Sequence, residues 1–119
     1  MFPCWAKRKK AGNDSEKDPL LKAVITLDAG IELLAIGSRK SKMILDAQEY
    51  LIEQFPANDK RVVKANFYAG KYYLARKSYG KSVENFESNL AIFEALKGPT
   101  HPLELNTHAF LINALEKSG

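Results

Sequence analysis

Tyr73 and Lys77, in the run YLARK, stand four residues apart, about one turn of a helix. An ammonium group held beside a phenol favours the phenolate, and a phenol tuned in that way can exchange a proton with a substrate. His101 and His108 are the only histidines, the side chains best placed to carry a proton near neutral pH. The third chemical feature is cationic. Between Lys60 and Val83 there are seven basic residues and no acid. Such a stretch attracts phosphate backbones or acidic peptides, or simply forms the solvated face of a helix.

Each of these features needs neighbours before it can do chemistry. The Tyr-x3-Lys pair is similar to that of short-chain dehydrogenases, a likeness that also implies a glycine-rich dinucleotide turn after a strand. The chain has no such turn, so Tyr73 is read as a packing residue. His101 lies between Thr100 and Pro102, where it is expected to cap and pack. His108 has no second histidine four residues away and no acid cluster beside it, and no zinc or di-iron spacing occurs. The expectation is therefore a non-enzymatic protein with no catalytic residue, no metal site and no cofactor.

At 119 residues, with 45% apolar and 27% charged side chains, the chain has the size and balance of one soluble globular domain. No run approaches the ~18 apolar residues of a membrane span. The single cysteine, Cys4, excludes an intramolecular disulfide. Residues 1–17 read as a basic flexible tail, with Trp5 outside any periodic pattern and Lys7–Lys10 resembling a short nuclear-import patch. The opening MFPCWAKRKK lacks the apolar run of a secretory signal, and the sequon at Asn13 matters only in a secreted chain. Localisation is cytoplasmic by default.

From Asp18 onward the pattern is helical throughout, and nothing reads as a strand. Asp18 before Pro19 marks a helix start. Leu20, Leu21, Val24, Ile31 and Leu34, widened by Ile25 and Leu27, form its apolar stripe, and Gly37 ends it. A second helix starts after Ser38 or Ser41, buries Ile44, Ala47, Leu51 and Phe55, and stops at Pro56. Asn58 or Asp59 caps a third, from about Lys60 to Lys77. A fourth carries Val83, Phe86, Leu90 and Phe93 and ends near Gly98; a fifth runs from about Pro102 to Lys117. Short connections make neighbours antiparallel.

The pairs also repeat. Gly30, Gly70 and Ile112 each precede a helix end by seven residues and lie 40 and 42 residues apart. On that register Gly70, Tyr73, Tyr79, Ser82, Phe86 and Asn89 place small and bulky side chains as the two helices of a hairpin need them. The run resembles a tetratricopeptide repeat. That likeness implies an all-α, right-handed helical-hairpin superhelix (an α–α solenoid) of about two and a half repeats: 18–56, 57–98 and a partial 99–119. Ser82 and Asn89 stand where the family has alanine, so that helix interface is expected to be looser or hydrogen-bonded. The first repeat keeps Gly30, Gly37 and Pro56 with about two extra residues in its turn. LAIFEALKGPTHPLEL is similar to the linkers of kinesin light chains and related bacterial proteins, with Lys97 inserted. Leu111 and Leu115 are expected to face a partner helix that the chain does not contain: either the fifth helix is itself the cap, or the chain is a fragment, or another molecule covers that face.

The resemblance implies a scaffold for protein–protein interaction, its concave groove lined by the first helix of each pair. By that analogy the groove residues are Lys64, Phe67 and Lys71, with Val24, Leu27 and Ile31, and Asn106, Ala109 and Asn113. Such a wall suits a peptide or helix bearing acidic or carboxylate groups. Phe67, Tyr68, Tyr72 and Tyr79 could stack bases, but the register spends the aromatic residues on packing, which argues against nucleic acid. The C-terminal run is also similar to repeat domains that precede a TonB-type domain in bacterial envelope proteins. On that alternative the chain is a structural arm of a larger, periplasmic protein.

Overall fold

The computed structural model describes residues 18–96 and 101–118; the tail, Gly98 and Gly119 lie outside them. The order is α1 (Pro19–Ala35), a 3-10 turn (Arg39–Lys42), α2 (Met43–Gln54), α3 (Lys60–Ala75), α4 (Tyr79–Ala95) and α5 (Glu104–Ser118). Among the described residues there is no strand, and the fold is all-α. No helix is long and apolar enough to cross a membrane.

Local chemistry sets the boundaries. The Asp18 carboxylate accepts from the backbone N–H groups of Leu20 and Leu21 at 3.1 and 3.2 Å, with Pro19 in the first turn of α1. Asp59 caps α3 by accepting from the Arg61 N–H at 2.8 Å. The Arg61 side chain also bonds this carboxylate, and that hydrogen bond is the main reason the Asp59 pKa falls to about 2. At its far end α1 closes with Ser38 N–H donating to Leu33 C=O at 2.9 Å and Gly37 N–H to Leu34 C=O at 3.0 Å. Gly37 takes φ 78°, the left-handed conformation this closure requires. Forty residues on, Ser78 N–H donates to Tyr73 C=O at 2.9 Å and Lys77 N–H to Leu74 C=O at 3.1 Å. Lys77 sits at φ 66°, a strain of about 1 kcal/mol that a glycine would not bear. The extra residues of the first turn form the 3-10 turn, capped by Ser38.

Each helix packs chiefly on its neighbours in sequence, while α1 also touches α3 and α3 touches α5. Two apolar clusters result. One joins Ala23 and Leu27 of α1 to Ile44, Ala47 and Leu51 of α2 and Val62, Ala65 and Ala69 of α3. The other joins Phe67, Phe86 and Leu111 across α3, α4 and α5. The α1 stripe is rotated from the sequence expectation: Ala23, Leu27 and Gly30 are buried, while Leu21 and Ile25 are exposed. Close approach explains it. A Cβ on Gly30 would lie 2.6 Å from Cγ1 of Ile44, so α1 presents the Gly30 side to α2.

The α3–α4 interface is hydrogen-bonded rather than loose. Buried Ser82 donates to the Gly70 carbonyl at 2.8 Å. Buried Asn89 donates to the Val63 carbonyl at 3.0 Å and accepts from Asn66 at 3.3 Å. Gln48 of α2 extends the network, donating to Asn66 at 2.8 Å and Asn85 at 2.6 Å. Carboxamides buried in this way are tolerated because their polar atoms find partners.

Candidate functional site

The first helices of the hairpins, α1 and α3, leave a cleft of about 490 Å³ between them, closed at one side by Phe110 of α5. Its walls are Ile31, Leu34 and Ala35 from α1 and Tyr68, Leu74 and Ala75 from α3. Lys71 is the one charged side chain among the described residues of the lining. Its ammonium nitrogen lies 5.0 Å from the Phe110 ring centroid, 5.4 Å from Tyr68 and 5.8 Å from Phe67. Three ring faces or edges within ~6 Å hold the cation at the mouth of an apolar cavity. An anionic group entering there would meet one positive charge over a hydrophobic floor.

That floor is a cluster of packed aromatic rings. Phe67 packs edge-on against Tyr68, Phe86 and Phe110 at centroid distances of 5.1, 5.9 and 5.7 Å. Phe86 and Phe110 stack at 6.1 Å.

The residues expected in the groove separate into three groups. Ile31 and Lys71 line the cleft. Phe67 and Leu27 are each 3% exposed; they support the surface from beneath and offer no contact area. Lys64, two turns before Lys71, is exposed and pairs with Asp28 of α1 at 3.2 Å. Asn106 is exposed and Asn113 half-buried, and neither lines this cleft; Val24 and Ala109 do not line it either. Sequence reasoning missed Leu34, Leu74 and Phe110. Leu34 and Leu74 are 40 residues apart, so the repeat itself carried a signal for them. Phe110 carried none, because its position depends on how α5 lies against α3.

Leu111 and Leu115 also part company. Leu111 is 9% exposed and packs inward with Phe67 and Phe86, so it awaits no further helix. Leu115 is 47% exposed. α5 turns Thr107, Leu111 and Ala114 onto α4, which leaves Leu105, Ala109 and Ile112 outward. These three stand 42 residues after Val63, Phe67 and Gly70, the side of α3 that packs on α4.

Of the candidate proton carriers His108 is exposed, while His101 and Tyr73 have structural surroundings. His101 Nδ1 accepts from the Leu103 N–H at 3.0 Å, and its ring lies 5.0 Å from that of Phe93. It caps and packs. The Tyr73 ring meets Tyr72 edge-on at 5.4 Å and has the Lys81 ammonium 5.6 Å from its centroid. Among the described residues no group of three His, Cys, Asp or Glu side chains could hold a metal. Set against known proteins, the chain matches no family model, no curated protein and no solved structure.

Proposed function

We propose that the chain is a non-enzymatic interaction module of tetratricopeptide type that grips a protein segment in the cleft of α1, α3 and α5. The observation that supports this most is the combination at Lys71: a cation seated over three aromatic rings at the rim of an apolar cleft between parallel first helices. The fitting partner is an extended or helical peptide with an apolar side chain for the cavity and a carboxylate for Lys71; Lys64, two turns away, would have to exchange its Asp28 partner to take a second one. A pull-down comparing the chain with its Lys64→Glu/Lys71→Glu variant tests it. Loss of the bound proteins supports the cleft. Recovery of the same set by both forms excludes it.

A second reading, a structural arm of a larger envelope protein or a self-associating chain, draws on the outward face of α5. Leu105, Ile112 and Leu115 are 76%, 56% and 47% exposed there, where the repeat register places another helix. A parent sequence carrying a signal peptide and a further domain would support the arm. Light scattering tests self-association. A dimer that Ile112→Glu dissociates supports it, and a monomer at every concentration rules it out.

A further inference from the structure

The helix directions gather the hairpin turns at one end of the molecule. Residues near the C-terminal ends of α1 and α3 line one shared cleft, among them Leu34, Arg39, Ala75 and Arg76, so these helices run the same way. Phe93 of α4 meets His101, and Phe86 stacks on Phe110, so α5 runs antiparallel to α4 and Lys117 comes level with Tyr79. The face so formed collects exposed cations. Arg39, Lys40 and Lys42 come from the first turn, Arg76, Lys77 and Lys81 from the second, and Lys117 from the end of α5. Glu116 is the acid at the tip, while Glu32, Asp46 and Glu84 lie about a turn further in. The two ion pairs among the described residues, Arg61–Asp59 and Lys64–Asp28, both lie elsewhere.

Among the described residues the opposite end has the reverse bias, with Asp18, Glu53, Asp59, Glu94 and Glu104 against Lys22, Lys60 and Arg61. Charge among the described residues is therefore separated along the helix axes, although their twelve basic and twelve acidic side chains balance; the +4 of the whole chain comes from residues 1–17 and Lys97. At the basic end Ile36, the residue that ends α1, stands 77% exposed beside Arg39 and Lys40. A protruding branched aliphatic at the same end as exposed lysines and arginines matches a bilayer interface, where acyl chains meet phosphates and carboxylates. Nucleic acid would use the cations but not Ile36. It would also want free rings to stack on, whereas Tyr72 is buried and Tyr73 half-buried.

We propose that this end docks on an anionic lipid surface, with Ile36 entering the interface and the turn lysines and arginines meeting the headgroups. The site adjoins the Lys71 cleft, with Leu34 and Ala75 bordering both, but Ile36 and the turn lysines and arginines lie outside that cleft and can be changed without touching it. The tail residues Lys7–Lys10 would bind such a surface by themselves, so the test uses the full chain with all four changed to Gln. Its binding is followed by co-sedimentation with phosphatidylcholine vesicles, with and without about 30% phosphatidylserine. Binding to the anionic vesicles alone, weakened by salt, is expected. In that background Arg39→Glu/Lys40→Glu should weaken binding by roughly thirtyfold or more, at the usual gain per basic residue near such a membrane. Lys22→Glu/Lys60→Glu changes net charge equally at the far end and should weaken it by less than about threefold. Ile36→Ser should weaken it severalfold. All five side chains changed are exposed, and matched melting curves confirm that the variants fold. Three results would each overturn the proposal: no binding to the anionic vesicles, equal loss from the two charge-reversal pairs, or salt-sensitive binding of a duplex of about 20 nucleotides by a chain that ignores vesicles.

Discussion

Phe86→Ala is expected to lower the unfolding free energy by about 3–5 kcal/mol, the largest effect of any truncation in this chain. Phe86 is 0% exposed and is the point where three helices meet. Its ring lies against the backbone of Gly70 in α3, edge-on to Phe67, and stacked on Phe110 of α5. Alanine removes the whole ring, and the cavity cannot collapse easily, because Ser82 and Asn89 on the same face of α4 are hydrogen-bonded to the α3 backbone. A domain of this size has about 5–15 kcal/mol in total, so the variant should melt tens of degrees lower or fail to fold at about 37 °C. Urea unfolding followed by far-ultraviolet circular dichroism measures it. Leu105→Ala, which trims a side chain 76% exposed on α5, should stay within about 0.5 kcal/mol of the parent. A Phe86 loss below about 1 kcal/mol would mean that α3, α4 and α5 do not meet as described.

The same ring ties stability to the cleft. Phe110 is both the stacking partner of Phe86 and the wall of the cavity that Lys71 overhangs. Loosening Phe86 should therefore blur the cleft even where the chain stays folded, and partner capture should fall with it. Lys71→Glu separates the two effects. Lys71 is half-buried and pairs with no acid among the described residues, so its reversal should cost capture while leaving the melting temperature within a few degrees.

Much of this arrangement was legible in the amino-acid order. Local rules placed the helix starts at Asp18 and at Asn58 or Asp59 and the turn at Gly37, because capping is decided within a few residues. The spacing of Gly30 and Gly70 pointed to the two close helix contacts, since only the smallest side chain permits them. Four things were not legible, each for a physical reason. The α1 stripe was misplaced because isoleucine and leucine occur on several of its faces, and burial was decided by where α2 could approach Gly30. Phe67 and Leu27 were placed in the groove by the family resemblance, and their spacing fixes a helical face but not which neighbour covers it. Leu111 went inward because α5 packs back on α4. The charge separation between the two ends was invisible in composition, because antiparallel helices bring together residues far apart in the chain, such as Arg39, Arg76 and Lys117.

Gly70→Val is expected to cost about 3 kcal/mol, and its dependence on Phe86 tests the packing on which the fold rests. A Cβ on Gly70 would stand 2.6, 2.7 and 2.9 Å from three ring carbons of Phe86, inside any real carbon–carbon contact. The ring cannot swing aside, because Phe67 and Phe110 hold its other faces. Helix α3 must therefore move away from α4, which stretches the Ser82–Gly70 and Asn89–Val63 hydrogen bonds. On an unconstrained helix the sign is opposite, since replacing glycine by alanine gains up to about 1 kcal/mol. A methyl group on Gly80, in the first turn of α4, would meet nothing within 4 Å, so Gly80→Ala should stabilise by up to that amount. Gly70→Ala should destabilise. The decisive comparison is a double-mutant cycle: with Phe86→Leu already present, Gly70→Ala should lose at least about 1 kcal/mol of its penalty, because the ring that opposed the methyl is gone. An unchanged penalty in that background would show that Gly70 is small for some reason other than Phe86, and the close α3–α4 contact would have to be abandoned.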